Sequence, residues 1–568
     1  MIWMVLKMAR ISKTKTLFFT TSPRSPLKMV PEIELLVKGY SGLEWNDKTQ
    51  KEFMMNLIKQ HSFENSSIPK DPAFSARDRI NRAPKSLGFV DLSPVINITP
   101  AGNVFINSDF KEEILLRQLL KFQLPSPFHT LSDEDKDLFF IKPYLEIIRL
   151  INKFGSLSFD EIKLFGLQMR NYNDFNKIVA EIEKFRIRKL ENKGNYKKFV
   201  SEELNSIVRR IYQEEIEVGN TSTRESIDDD VDKFIKTKAR NMQDYTDACF
   251  RYLRETGLFS ISQIGKSISI IPDKRADIEF ILENIDRNPI YIHNEREYKE
   301  YLFDSTIPQL YSDNKDNLLK QLSTMDENVE KIKNFSIEEL KIILKEKIRK
   351  RKESIISEKI NRIKNYDEFN DIIAMYADII NKKVYDPSLM LEWNTWRAMN
   401  MLDGGKITAN LSFDDFGEPK STALGKQADI ICDYGDFGLT VEVTMQSGQR
   451  QYEMEGEPVV RHLANYKREI NKNAYCLFIA PKINDSCIAY FYSLYKINIS
   501  YYGGYSYILP LELDVFIKLL SDSFKASYTP NPNQVENLFK QAIKLANTSK
   551  NENEWYSQVQ LLALRWLE

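Results

Sequence analysis

The apolar positions of this chain follow two rhythms, and each predicts a different element. Near-continuous apolar runs bounded by turn residues predict buried strands at Ala428-Asp-Ile-Ile-Cys-Asp433, Phe437-Gly-Leu-Thr-Val-Glu-Val-Thr444 and Tyr475-Cys-Leu-Phe-Ile-Ala480. The Tyr434-Gly-Asp reversal between the first two makes them antiparallel neighbours. Helical spacing places Leu391-Glu-Trp-Asn-Thr-Trp-Arg397 on a helix. It also runs from Asp313 to Lys383, a charged stretch whose basic run Lys345–Lys352 reads as the solvated face of a long connecting helix.

The N-terminal half alternates helices with short strand pairs. Gly88 to Ile98 reads as two short strands about a Ser-Pro turn, and Thr99-Pro-Ala-Gly opens a helix. Asp244 to Thr256 reads as a helix ending at Gly257. Leu258–Ile264, a Gly265-Lys266 turn and Ser267–Ile271 then make a hairpin, and Pro272 opens the next helix. Between these units, Leu145–Phe154, a Gly155-Ser-Leu-Ser turn and Phe159–Met169 read as helix-turn-helix with Ser158 as cap. Such units serve DNA contact, and they serve equally as packing or dimerisation modules. The expected fold is therefore mixed α/β and multidomain. A helix-rich region with winged-helix-like elements occupies 1–300, a helical linker 301–383, and an α/β domain 384–568.

Totals narrow the picture. A chain of 568 residues exceeds what one hydrophobic core usually serves. No stretch has the apolar length of a membrane span, and Lys7 and Arg10 interrupt the apolar start Met1–Leu6, so a cytoplasmic protein with no membrane partner is expected. The four cysteines show no paired spacing and the four histidines are scattered, which argues against structural zinc and a disulfide framework. Net charge is −1, yet residues 1–100 carry 15 Lys/Arg against 9 Asp/Glu. That excess suits phosphate contacts or simply a solvated face.

Candidate chemistry concentrates near the C-terminal end. Asp429 and Glu442 interrupt apolar strands, where a charge is costly unless paired or bound to a metal. Glu392 arrives from the preceding helix. Converging carboxylates suit Mg2+, which prefers hard oxygen ligands, and such a set suits phosphodiester cleavage. Asp429 and Glu442 match the acidic pair of the PD-(D/E)xK nuclease core, with Thr444 where that core has its lysine. Glu455 precedes a helix that Pro458 is expected to start, with Arg461 and His462 in its early turns. Glu455 is then a candidate to hold a water and His462 a candidate to orient or deprotonate it. The structural alternatives are an edge hairpin with solvated carboxylates, a surface Glu455 and a hydrogen-bonded helix histidine.

Together these residues resemble the AlwI family of type IIS restriction endonucleases, which includes strand-specific nicking enzymes. The resemblance rests on Gln427-Ala-Asp429, Glu442-Val-Thr444, Met454-Glu455, Glu457-Pro-Val, Arg461-His462, Tyr475 to Pro481 and Ile508-Leu-Pro-Leu511. Further segments are Ser22-Pro-Arg-Ser-Pro26, Phe74 to Arg79, Gly88-Phe-Val90, Ile98 to Gly102 and Thr256-Gly-Leu-Phe259. It implies a recognition region with winged-helix elements, a helical linker and a PD-(D/E)xK-like domain that cuts double-stranded DNA a few base pairs beside a short asymmetric site. The implied active-site residues are Glu392, Asp429, Glu442, Thr444, Glu455 and His462, with Glu392, Asp429 and Glu442 on magnesium.

Recognition is expected from Arg24, Arg77 and Arg79, since an arginine reads guanine edges or clamps a phosphate. Asp78, between two of them, offers a salt-bridged loop as the alternative. Double-strand cleavage requires a second nuclease domain, from a transient homodimer or a separate small subunit. A restriction system also implies a cognate DNA methyltransferase. The rival readings are a DNA-binding regulator with an inactive nuclease domain, and a repair or mobile-element nuclease.

Overall fold

The computed structural model describes residues 15–60, 68–128, 138–223, 230–325, 327–402, 404–422, 427–526 and 530–567. The apolar start Met1–Leu6 lies outside them. The chain is helix-rich, with small sheets, and divides into two compact units. The division falls after Ile342, inside a 28-residue helix, Ile337–Lys364. Among the described residues no helix is long and apolar enough to cross a membrane.

In the first unit, helices Met29–Tyr40, Asp47–Lys59 and Pro72–Ile80 precede a two-stranded hairpin, β1 (Val90–Asp91) and β2 (Asn97–Ile98). Thr99 then caps helix Pro100–Asn107, its hydroxyl accepting from the Gly102 N–H. Gly102 is required by a close approach, because a Cβ there would stand 1.9 Å from the Phe89 carbonyl oxygen.

Further along come α1 (Pro143–Phe154), β3 (Ser156–Ser158), α2 (Phe159–Leu164), α3 (Val231–Glu255), β4 (Phe259–Ser262) and β5 (Ser267–Ile270). The three strands form one antiparallel sheet in the order β3-β5-β4. The segment Gly155-Ser-Leu-Ser is thus largely a strand and not only a turn. Three residues are too few to show a period of two, and β3's partner lies more than a hundred residues away. The helix after it ends at Leu164, short of Met169, although Ser158 caps it through a full capping box with Glu161.

The second unit is built on a five-stranded sheet. Its strands are β6 (Lys406–Ala409), β9 (Ile430–Asp433), β10 (Gly438–Val443), β11 (Ala474–Ala480) and β12 (Ile508–Glu512), in the order β12-β11-β10-β9-β6. A separate pair, β7 (Leu411–Phe413) with β8 (Pro419–Thr422), stands beside them. β10 runs parallel to β11 and antiparallel to β9, so β10 is central and not an edge. Every residue of β10 and β11 is buried, which explains the unbroken apolar reading of β11.

Helices α4 (Ile337–Lys364), α5 (Phe369–Ile380), α6 (Pro387–Asn400), α7 (Gln449–Ile470), α8 (Asp485–Lys496), α9 (Leu513–Lys525), α10 (Pro532–Thr548) and α11 (Glu552–Ala563) follow the chain. The core of this unit takes in α5 through Ile372, Tyr376 and Ile379, and α11 through the fully buried Trp555. α5 is tied to α6 by the buried Arg397, which pairs with Glu368 at 2.8 Å and with Asp371, and lies 4.5 Å over the Trp393 ring. The four cysteines, Cys249, Cys432, Cys476 and Cys487, are free and buried.

Candidate active site

The register of the sheet places the first two carboxylates. Ile430 pairs with Val441 and Ile431 with Thr440, so Asp429 follows directly opposite Glu442. Side chains alternate along a strand, which puts Gly438, Thr440, Glu442 and Thr444 on one face. Asp429 marks the end of the ladder: its Oδ2 accepts the Val443 N–H at 2.9 Å, a bond the backbone would otherwise supply.

α7 lies across that face, antiparallel to β10. Gly438 allows it to settle, because a Cβ there would come 2.4 Å from the Tyr466 ring and 2.7 Å from Ile470. One turn nearer the helix start, His462 Nδ1 stands 2.8 Å from Glu442 Oε1. At the far end Glu455 lies beside the Thr444 hydroxyl, which favours its ionised form. Residues 455, 459, 462, 466 and 470 follow the spacing of a single helix stripe, so Glu455 and His462 address the sheet from the same side. Pro458 lies inside α7, which begins at Gln449 after Gly448. The expectation that proline starts this helix is therefore corrected. Packing of the stripe on β10 outweighs the one backbone bond that Pro458 removes.

Glu392, half-buried on α6, completes the set, with Asp386 capping the start of the same helix. The electrostatics show that these groups crowd one another. Burial, followed by repulsion from Asp429, Asp386, Glu442 and Glu455, raises Glu392 well above the usual carboxylate range. Asp429 is raised by burial and then by Glu442, and Glu442 by burial and then by Glu455. Glu455 is raised by burial, against the Thr444 hydrogen bond and the attraction of His462. Burial lowers His462, helped by Arg461. When Glu442 is ionised, its bond to a neutral His462 requires the proton on Nδ1, which leaves Nε2 as an acceptor.

A divalent cation fits this donor set by its chemistry, which is oxygen-rich and short of positive charge. Among the described residues, however, no three His, Cys, Asp or Glu side chains stand gathered in ligating geometry. Asp429 is engaged by the Val443 N–H and Glu442 by His462.

The three arginines lie in the first unit, whereas this site belongs to the second. Arg24 is exposed, 3.9 Å from Asp247 on α3. Arg77 gives Nη1 to Gln50 Oε1 at 2.6 Å and approaches Asp47 at 3.5 Å. Arg79 is bound to the buried Glu32, with Nε at 2.9 Å from Oε1. Asp78 pairs with Arg82, one turn on. The residues that sequence reasoning missed are Asp386 and Gln451. Asp386-Pro387 is a helix-start signal that marks the first of them. Gln451, fully buried, looks like any surface polar residue of a charged helix.

The sequence model of a family described as AlwI restriction endonuclease matches residues 85–519. Among solved structures, the small subunit (R.BspD6I2) of the heterodimeric restriction endonuclease R.BspD6I is 27% identical; the match covers 34% of this chain and 98% of that one, with a TM-score of 0.30. The BpuJ1 endonuclease binding domain, solved with pyrene- and phenanthrene-modified DNA, is 11% identical over 51% of this chain and 96% of its own, with a TM-score of 0.33. Restriction endonuclease FokI is 11% identical over 92% of this chain and 99% of its own, with a TM-score of 0.23. No curated protein matches.

Proposed function

Because the chain belongs to the AlwI restriction endonuclease family, we propose that it is a type IIS or nicking endonuclease that hydrolyses a phosphodiester a few base pairs beside a short asymmetric site in double-stranded DNA. The observation that carries this reading is the meeting of Asp429 and Glu442, on adjacent strands, with His462 and Glu455 from one stripe of α7. It supports a PD-(D/E)xK-like role for the second unit. In the first unit, the order α1-β3-α2, α3 and β4-β5 with sheet order β3-β5-β4 supports a winged-helix reading and a recognition role.

Glu392, Asp429 and Glu442 are the residues that would hold Mg2+. Bound there, the cation would supply charge neutralisation at the scissile phosphate and acidify a water. The protein's own part is proton handling and orientation. Glu442 fixes the His462 ring through Nδ1, so Nε2 can take a proton from the attacking water. Glu455, aimed by Thr444, holds that water by accepting its second hydrogen. Thr444 carries no charge, so it orients where the lysine of the wider nuclease core would add a positive charge. In the first unit, the exposure of Arg24 and half-exposure of Arg77 support phosphate or guanine contacts from these two, whereas Arg79 must leave Glu32 to reach DNA. One such site cuts one strand, so cleavage of both requires a second nuclease domain, from a like copy or a small subunit.

Incubating supercoiled plasmid with Mg2+ and the protein, then mapping the ends by sequencing, tests the reading. Open circles or linear fragments ending at a fixed distance from one motif are expected, with neither from Glu442→Gln. A protein that shifts DNA but leaves the plasmid intact across divalent metals would be a DNA-binding regulator instead.

A further inference from the structure

The loop between β10 and α7 carries Thr444 at its start and has no regular structure of its own from 444 to 448. One side chain organises it. Gln451, in the first turn of α7 and fully buried, gives Nε2 to the Gln446 carbonyl at 3.0 Å and to the Lys482 carbonyl at 3.0 Å. Its Oε1 accepts the Asn484 N–H at 2.7 Å. Both amide hydrogens and one oxygen lone pair are thereby used. Gln446 belongs to the exit of β10, while Lys482 and Asn484 belong to the exit of β11. The amide therefore ties together the carboxyl ends of the two central parallel strands, directly beside the candidate site.

The tie continues toward the chemistry. The Gln446 N–H donates to the Thr444 Oγ1 at 3.0 Å. A hydroxyl that accepts there has its single hydrogen left to give, and the carboxylate beside it is Glu455. Asn484, Gln451, Gln446 and Thr444 thus form one directed chain from the exit of β11 to the hydroxyl beside Glu455, a candidate catalytic carboxylate. A buried amide used only as filler would not need three partners on two separate segments, since an apolar side chain of the same length fills the space without the desolvation cost.

We propose that Gln451 is a positioning residue for cleavage, holding the 444–448 loop so that the Thr444 hydroxyl aims Glu455 at the reacting phosphate. The inference rests on the site assigned above. Gln451 does not touch DNA; it acts through Thr444.

The test is a double-mutant cycle on the full-length protein, cutting supercoiled plasmid with Mg2+ under single-turnover conditions, with KM measured separately. Gln451→Met keeps the length and removes every hydrogen bond; Thr444→Val removes the hydroxyl, and Thr444→Ser restores it. Each of Gln451→Met and Thr444→Val is expected to slow cleavage by about 100-fold, the scale of a small misplacement of a reacting group, with KM unchanged. The double variant should be no slower than the slower single one, and Thr444→Ser should cut near the wild-type rate. Losses that multiply in the double variant, a loss confined to KM, or wild-type cutting by Gln451→Met would overturn the proposal. If Gln451→Met does not fold, Gln451→Glu, which keeps the acceptor for Asn484 and loses both donors, takes its place in the cycle, and the same rates and KM values decide. Glu442→Gln separates the two claims. Should it cut normally, the site itself is wrongly assigned; should it be inactive while Gln451→Met cuts normally, only the positioning role fails.

Discussion

Glu442 sits on the central strand, nearly out of water, facing Asp429 across the ladder and Glu455 from above, with the neutral His462 at hydrogen-bond distance. Such a residue is retained at a cost to stability. For Glu392, Asp429, Glu442 and Glu455 the folded pKa lies above the unfolded one. Between those values the folded state holds more protons than the unfolded state, so stability falls as pH rises from the ordinary carboxylate range through the raised values. Glu442→Gln removes one of these charges and keeps a partner for His462. In the absence of divalent metal it should therefore melt higher than wild type at pH 7, by about 2–4 °C if about 1 kcal/mol is recovered, and the difference should shrink at pH 5. Equal melting at both values in calorimetry would contradict this crowding of carboxylates. Asp429 and Glu442 are legible in the sequence because each interrupts an apolar run. Gln451 is not, since a buried amide and a solvated one look alike when two of the three partners, the Lys482 carbonyl and the Asn484 N–H, lie 31 and 33 residues away.

At the scale of elements, strands are more legible than helix starts. β9, β10 and β11 fall where the apolar runs place them, because full burial leaves little choice of residue. α7 is harder: Pro458 has the look of a first-turn proline, yet the helix begins nine residues earlier. What decides is the stripe from Glu455 to Ile470 that packs on β10, and no local rule sees it. A proline that interrupts a helix should be replaceable with a gain. Pro458→Ala is expected to raise unfolding stability by about 1–3 kcal/mol, read as a higher denaturant midpoint; an unchanged or lower midpoint would mean that Pro458 is needed to set the path of α7. The strand β3 is hidden for the opposite reason, being too short to show a rhythm and paired to a hairpin far along the chain.

For the whole molecule, the division into two units predicts that binding and cutting can be lost separately. Arg24→Ala should weaken DNA binding and reduce the steepness of its salt dependence by about one phosphate contact, while leaving the melting of the protein unchanged. Glu442→Gln should bind specific DNA as wild type does while failing to cut it. Fluorescence titration across a salt series checks both, and an unaltered salt slope for Arg24→Ala would remove that residue from the interface. The cores of both units are foreshadowed by their apolar runs. The placement of the arginines is not, because an arginine paired to Glu32 and one facing water have the same kind of neighbours in sequence.

The free cysteines of the second unit give this machinery a built-in gauge. Cys432 and Cys476 lie in strands on either side of β10, and burial holds both thiols far from the reactive thiolate form. A thiol reagent can reach them only when the sheet opens. The speed of labelling therefore reports how often the floor of the candidate site breathes, and a divalent cation that gathers the carboxylates above it should make that labelling slower.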